Sequence, residues 1–332
     1  MQTKSILALF LIAMLSISVI STKYSFFDKQ ERFDKSYFEN IKSQDLPFET
    51  FSYEDSPFKD WTLDEVKSLL GTKDLFTQST MPSVYGDEEP IDYSEYINEE
   101  SNEDPTKLDN FDSRDKWRNC IGDVRFQGNC GSCWAFALTS TLADRFCIAY
   151  SGRINLELSP QDLVNCDYYN HACNGGSIFL SWMYVHTSGV VRDSCIPYSS
   201  STGYPGRCRD TCINQAFYKK YFSKSRRPTI LRTIDDIKRE IYYKGPIETG
   251  YIVYDDFMNY RDGVYVHRTG RNLGGHAVEV VGWGTDKTTR KQYWIAKNSW
   301  GTRWGKEGYF NFEMGQCDFE ANAMVGDPDL YR

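Results

Sequence analysis

Four histidines in 332 residues, scattered at His171, His186, His267 and His276, leave little material for an imidazole-based metal centre. The one Cys-x-x-Cys pair, Cys130 and Cys133, has no matching second pair, so a structural zinc site is not expected and no cofactor is called for. No Asn-x-Ser/Thr sequon occurs, and N-glycosylation is not expected. Acidic side chains outnumber basic ones, 46 to 38, for a net charge of −8, which lacks the basic excess of a nucleic-acid binder. Beyond residue 20 no apolar run approaches the roughly 20 residues that span a bilayer.

What the chain does have begins at its start. Lys4 precedes an apolar run over residues 6–20, and small residues follow from Val19 to Thr22. The run is too short for a span and reads as a secretory signal peptide over residues 1–21. Ten cysteines suit that oxidising route, and eight of them besides Cys133 and Cys317 lie between Cys120 and Cys212 as a staple framework whose connectivity the sequence leaves open. Charge is divided unevenly. Residues 23–107 carry 21 acidic and nine basic side chains, whereas 108–332 carry 25 and 28, so the two parts are expected to attract each other.

The first of these parts holds one well-punctuated helix. Thr62 and Glu65 form a capping-box pattern, Leu63, Val66, Leu69 and Leu70 supply an apolar face, and Gly71 is expected to end it. From Met81 to Lys107 acid, Pro, Ser and Asn prevail without periodicity, as in a cleavable linker. Further along, Ser159 caps a helix whose first turn holds Pro160, and Thr233 with Asp236 starts another that Gly245-Pro246 stops. Strand-like runs follow at 247–254, 263–266, 276–283, 292–297 and 308–312. A helical half is thus followed by a sheet-rich half.

The densest chemistry lies in Gln127-Gly128-Asn129-Cys130-Gly131-Ser132-Cys133-Trp134-Ala135-Phe136. Ala135, Leu138, Leu142, Phe146 and Ala149 follow Cys133 at helical spacing, with Gly152 as a stop. The Cys133 sulfur therefore sits at a helix N-terminus, where first-turn N–H groups and the dipole favour a thiolate. Gly274-Gly275-His276-Ala277 lies 143 residues later and Lys297-Asn298-Ser299-Trp300-Gly301 another 22 beyond that.

These separated motifs resemble the papain-like cysteine protease family, and residues 58–332 are similar to its cathepsin B branch. The resemblance implies an α+β, two-lobed papain-like fold with the active site in the cleft between a helical lobe and a sheet- or barrel-rich lobe. It also implies residues 22–107 as an inhibitory propeptide and 108–332 as the mature peptidase domain, the cut falling near Lys107-Leu108. Disulfides are implied between Cys120 and Cys147, Cys130 and Cys173, Cys166 and Cys208, and Cys195 and Cys212.

A thiol at a helix terminus still needs a base, and His276 is the natural partner, holding Cys133 as an ion pair and later protonating the leaving amine. Asn298 would fix the imidazole tautomer by accepting from its other N–H, and Trp300 would shield that bond from water. Gln127 and the Cys133 backbone N–H are the implied oxyanion donors. Gly175 and Gly176 are expected to let an extended peptide approach the backbone, and Ile178, Gly250, Ala277 and Asn322, with Trp300 nearby, to line the substrate-binding pocket.

Two departures from cathepsin B bear on specificity. Asn322 stands where that enzyme has a pocket-floor glutamate, so arginine finds no countercharge. The stretch between Cys195 and Cys208 is short, contains no His, and lacks the loop that makes cathepsin B an exopeptidase. The expected protein is a secreted or lysosomal endopeptidase made as a zymogen, with polypeptide substrates, its own propeptide as inhibitor and cystatin-type inhibitors as partners. A catalytically silent papain-fold binding or matrix homologue is the alternative, although this chain keeps Gln127, Cys133, His276 and Asn298; an acyltransferase would share the chemistry but needs no acidic pro-segment.

Overall fold

The computed structural model describes residues 31–77, 91–96 and 103–332. The signal-peptide segment and the acidic runs at 87–89 and 99–100 lie outside the described residues. The first elements are α1 (Lys35–Lys42), β1 (Phe48–Thr50) and α2 (Leu63–Lys67). Asp34 starts α1 by accepting from the Tyr37 N–H. In α2 the expected capping box is present, with Thr62 accepting from the Glu65 N–H and Glu65 from the Thr62 N–H. The helix stops at Ser68 rather than at Gly71. Glycine is required at 71 for another reason: a Cβ there would stand 1.8 Å from the Gly131 carbonyl oxygen.

The helical half of the remainder follows β2 (Phe111–Asp112) and α3 (Ser113–Lys116), and consists of α4 (Cys133–Ala149), α5 (Pro160–Cys166) and α6 (Ile178–Ser188). Apolar residues ring α4 because it runs through the centre, and 14 of its 17 residues are buried. Ser159 caps α5 through the Asp162 N–H, with Pro160 at the first position. α6 escapes sequence periodicity because Ile178, Phe179, Leu180, Trp182, Met183 and Tyr184 make it apolar on nearly every side.

The second half holds β3 (Thr229–Ile230), α7 (Ile234–Lys244), β4 (Ile247–Tyr254), β5 (Tyr260–Tyr265), β6 (Asn272–Thr285), β7 (Gln292–Lys297), β8 (Tyr309–Glu313) and β9 (Met324–Val325). Thr233 and Asp236 cap α7, and Gly245 ends it at φ 112°. The strands order as β1-β5-β8-β7-β6-β4-β9-β3, with β2 against β6. α4 packs on β6 and so brings the two halves together. Disulfides join Cys120 to Cys147, Cys130 to Cys173, Cys166 to Cys208 and Cys195 to Cys212, leaving Cys133 and Cys317 free.

The N-terminal part adds β1 to the sheet edge, antiparallel to β5, and buries Phe33, Phe38, Phe48, Phe51 and Phe58. Among the described residues charge contributes little to this contact. Among the described residues one ion pair, Glu31 to Arg271 at 2.8 Å, crosses from residues before 108 to those after. Aromatic burial and strand pairing carry this contact, since exposed carboxylates keep their hydration and exposed ion pairs contribute roughly 0–1 kcal/mol.

Candidate active site

Cys133 opens α4, and the preceding Ser132 makes no side-chain cap, so the first-turn N–H groups stay available to an anion near the sulfur. The Ser132 hydroxyl is instead paired with that of Tyr198 at 2.9 Å. His276 lies in β6 and Asn298 directly follows β7, the strand paired with β6. His276 Nε2 and Asn298 Oδ1 are 2.7 Å apart, and the same oxygen accepts the Ser299 N–H. That second bond fixes the oxygen as an acceptor, so Nε2 carries the proton and Nδ1 is the basic nitrogen. Trp300 packs its ring on the imidazole at 4.6 Å between centroids.

Gln127 is fully buried and its amide is oriented from behind, because Oε1 accepts from the Ser299 hydroxyl at 2.7 Å. Its Nε2 donates to the Cys130 carbonyl and to the Leu69 carbonyl, the latter at 2.9 Å. A carbonyl oxygen of the N-terminal part thus occupies the donor that an oxyanion would use.

The cleft is filled by residues 69–76. Thr72 donates its N–H to the Gly275 carbonyl, Gly176 donates to the Gly71 carbonyl, and Lys73 donates to the Gly176 carbonyl. The segment runs parallel to Gly176 and antiparallel to Gly275. Close approach requires the glycines: Gly175 has φ 103°, and a Cβ on it would stand 2.4 Å from the Gly71 oxygen. Facing the sulfur are the Gly71 N–H at 3.4 Å and the Thr72 hydroxyl at 3.3 Å. The Gly71 N–H donates to the sulfur, while either the Thr72 hydroxyl or the thiol is the donor in the second contact.

This cover changes the protonation of both groups. Cys133 and His276 have no exposed surface, and His276 Nδ1 has no hydrogen-bond partner. Burial pushes the thiol up, opposed by the Thr72 hydroxyl, and pushes the imidazole down to about 4, opposed by the Asn298 amide. Burial under the cover thus disfavours the thiolate–imidazolium pair expected from sequence.

Of the pocket residues, Gly250 and Ala277 are register partners on β4 and β6. A Cβ on Gly250 would lie 2.5 Å from Leu75 Cδ2, which places the Leu75 side chain against this wall. Asn322 is buried and clasps the Phe76 backbone, accepting its N–H at 2.7 Å and donating to its carbonyl at 3.0 Å. Ile178 is buried in the main core at the start of α6. Trp300 lies under Phe58, with ring centroids 5.7 Å apart. His186 donates to the Ser223 carbonyl and His267 stands beside Asp256, while His171 donates its backbone N–H to the carbonyl of the cleft residue Gly175.

One part of the site had no signature of its own in sequence. The ammonium of Lys297 bonds Glu279 at 2.7 Å, Asp144 at 3.2 Å and the Gly122 carbonyl at 3.0 Å, all deeply buried apart from Gly122. Ser140 donates to Glu279 at 2.7 Å. Burial, with Glu279 adding to it, holds the Asp144 carboxyl well above its usual range. Asp144 belongs to the Cys133 helix, Glu279 to the His276 strand, and Lys297 precedes Asn298.

Comparison with known proteins places this arrangement. The model for papain family cysteine proteases matches residues 108–326, and the chain belongs to that family. Within it the similarity extends to cathepsin B-like enzymes. Cathepsin B-like cysteine proteinase 5 of Caenorhabditis elegans is 37% identical over 262 residues, covering 68% of this chain and 75% of the relative. Cathepsin B-like cysteine proteinase 4 of the same organism is 35% identical over 306 residues, covering 82% and 87%. The solved procathepsin B S9 from Trypanosoma congolense superposes with a TM-score of 0.73 at 28% identity over 89% of this chain and 98% of its own. The α+β papain-like fold and the peptidase class follow from these matches.

Proposed function

We propose that this chain is the zymogen of a cysteine endopeptidase, with residues 22–107 inhibiting a mature enzyme formed by 108–332. Cys133 is the nucleophile and His276 its base and acid. Asn298 orients the ring, and Gln127 with the Cys133 N–H stabilises the oxyanion. The observation that carries this reading is the cover itself: Leu69 takes the Gln127 donor while the Gly71 N–H and the Thr72 hydroxyl stand against the sulfur. Removing residues 69–76 returns water to the cleft, so the thiol falls and the imidazole rises toward their ordinary values and can form the ion pair.

The signal segment supports a secretory route ending in an acidic compartment such as a lysosome or outside the cell, where cystatin-type inhibitors are fitting partners. Leu75 against Gly250, and the uncharged Asn322 beside it, support apolar or aromatic residues over arginine at the second position before the cut. Between Cys195 and Cys208 the stretch is short and tied back onto the chain, with Gln161 accepting the Ser199 and Ser200 N–H groups and Asn129 donating to the Ser201 carbonyl. This supports internal cutting.

Acid incubation of the purified chain, followed by a thiol-directed epoxide with peptide mapping and by internal peptides bearing Phe or Arg at that position, tests the reading. Label at Cys133 and a Phe preference are expected. Absence of label after loss of the N-terminal part would refute the catalytic assignment, and a preference for arginine would refute the pocket assignment.

A further inference from the structure

Away from the cleft, residues 91–96 lie against α7 in a defined conformation. Asp92 accepts the Ser94 N–H and starts a single 3-10 turn, Ser94–Tyr96, which puts Tyr93 and Tyr96 three residues apart on one side. Tyr93 is 7% exposed. Its hydroxyl donates to Glu240 Oε2 at 2.9 Å, and its ring lies 5.5 Å from that of Tyr243. The Lys244 ammonium stands 5.5 Å from the Tyr93 ring centre and 5.7 Å from that of Tyr96, within reach of a cation–π attraction.

Glu240 explains why this place is selective. Its side chain is 1% exposed, and Oε1 is held by Arg145, itself buried and also bonded to Asp327 at 2.7 Å. Oε2 has the Tyr93 hydroxyl, with Lys244 farther off at 3.8 Å. An occupant that covers this face without a hydroxyl leaves a buried carboxylate oxygen without its close donor, and that loss is expensive in a dry site. Phenylalanine would fill the space but leave the oxygen unpaired. The site thus reads a phenol at the bottom of an aromatic and cationic cradle.

We propose that the α7 face around Glu240, Tyr243 and Lys244 is a recognition site, separate from the catalytic cleft, for an acidic peptide segment of Tyr-x-x-Tyr pattern, occupied in this chain by residues 91–96. The acidic flanks Asp92 and Glu95 suit the lysine, and the two tyrosines suit the ring and the carboxylate. Once that segment departs, the same face is open to a tyrosine-bearing acidic stretch of another polypeptide.

The test uses the full chain with Tyr93→Ala to vacate the site and Cys133→Ser to stop self-cleavage, titrated by fluorescence anisotropy with a labelled, end-blocked peptide of residues 91–96. Saturable binding is expected. The peptide carrying Tyr93→Phe should bind about 10-fold or more weakly, as for loss of a hydrogen bond to a charged acceptor. A Tyr243→Ala replacement in the protein should weaken both peptides, and the chain retaining Tyr93 should bind neither. Absence of saturation, equal affinity for the two peptides, or equal binding to the chain that retains Tyr93 would each overturn the proposal. Binding is read without catalysis, so its failure leaves the peptidase reading standing.

Discussion

The two free cysteines make an instructive pair, because both thiols are held above their ordinary pKa and only one has a way down. Cys133 sits at the start of α4 beside N–H donors, under a cover made by Gly71 and Thr72. Cys317 sits at φ 53°, half-buried, and is pushed up to about 12 by burial and by Asp256, Asp318 and Glu320. The first is covered by the segment proposed to leave, the second by carboxylates of the part proposed to remain. Reactivity here depends on which neighbours are removable and on their sign.

Several replacements sharpen or break this contrast. Cys133→Ser should lower peptide hydrolysis after activation by at least about 10⁴-fold, measured as kcat/KM, since a serine has no thiolate for His276 to stabilise. Gln127→Ala should cost about 100- to 1,000-fold in kcat by removing the proposed oxyanion donor. Gly71→Ala adds a methyl group 1.8 Å from the Gly131 oxygen. Lifting of the cover should then speed alkylation of Cys133 in the uncleaved chain by roughly 10- to 100-fold, the scale of a few kcal/mol of overpacking. Unchanged alkylation would mean that Gly71 is not what holds the cover down.

A smaller effect should come from the capping box. Thr62 N–H and hydroxyl hold Glu65 below the usual carboxylate range. Because the folded value is depressed, its stabilisation is complete above the unfolded pKa and fades as pH falls through the folded one. Thr62→Ala should cost about 1 kcal/mol, or about fivefold in Cys133 alkylation at neutral pH, and Glu65→Gln should flatten the acid limb of that rate. An unaltered pH profile in Glu65→Gln would assign the acid response elsewhere. Smallest of all, Cys317→Ser should change kcat/KM by less than about twofold; a larger loss would make the comparison between the thiols untenable.

Local chemistry explains which parts of the molecule were legible. β4 and β7 fall on the residues that alternation and turn signals mark, and Ser159, Thr233 and Thr62 cap the helices they precede. Cys133, His276 and Asn298 were legible because each sits in a compact motif. α6 was not, since a helix apolar on nearly every side has no period to read. The contacts of Leu69 with Gln127, Phe76 with Asn322 and Tyr93 with Glu240 join residues 58, 246 and 147 positions apart, and no local pattern encodes such pairings. Gly71 was visible as a breaker and misread as one; its purpose is proximity to Gly131.

The Lys297 ammonium has a further consequence for how the two halves can vary. One cation answers two buried carboxylates from different elements, so α4, β6 and the end of β7 share a single electrostatic anchor. Removing one partner of a buried pair costs about 3–5 kcal/mol, a third or more of the stability of many domains. A change at 144, 279 or 297 alone is therefore expected to cost stability, and this anchor lies about three turns along α4 from the sulfur.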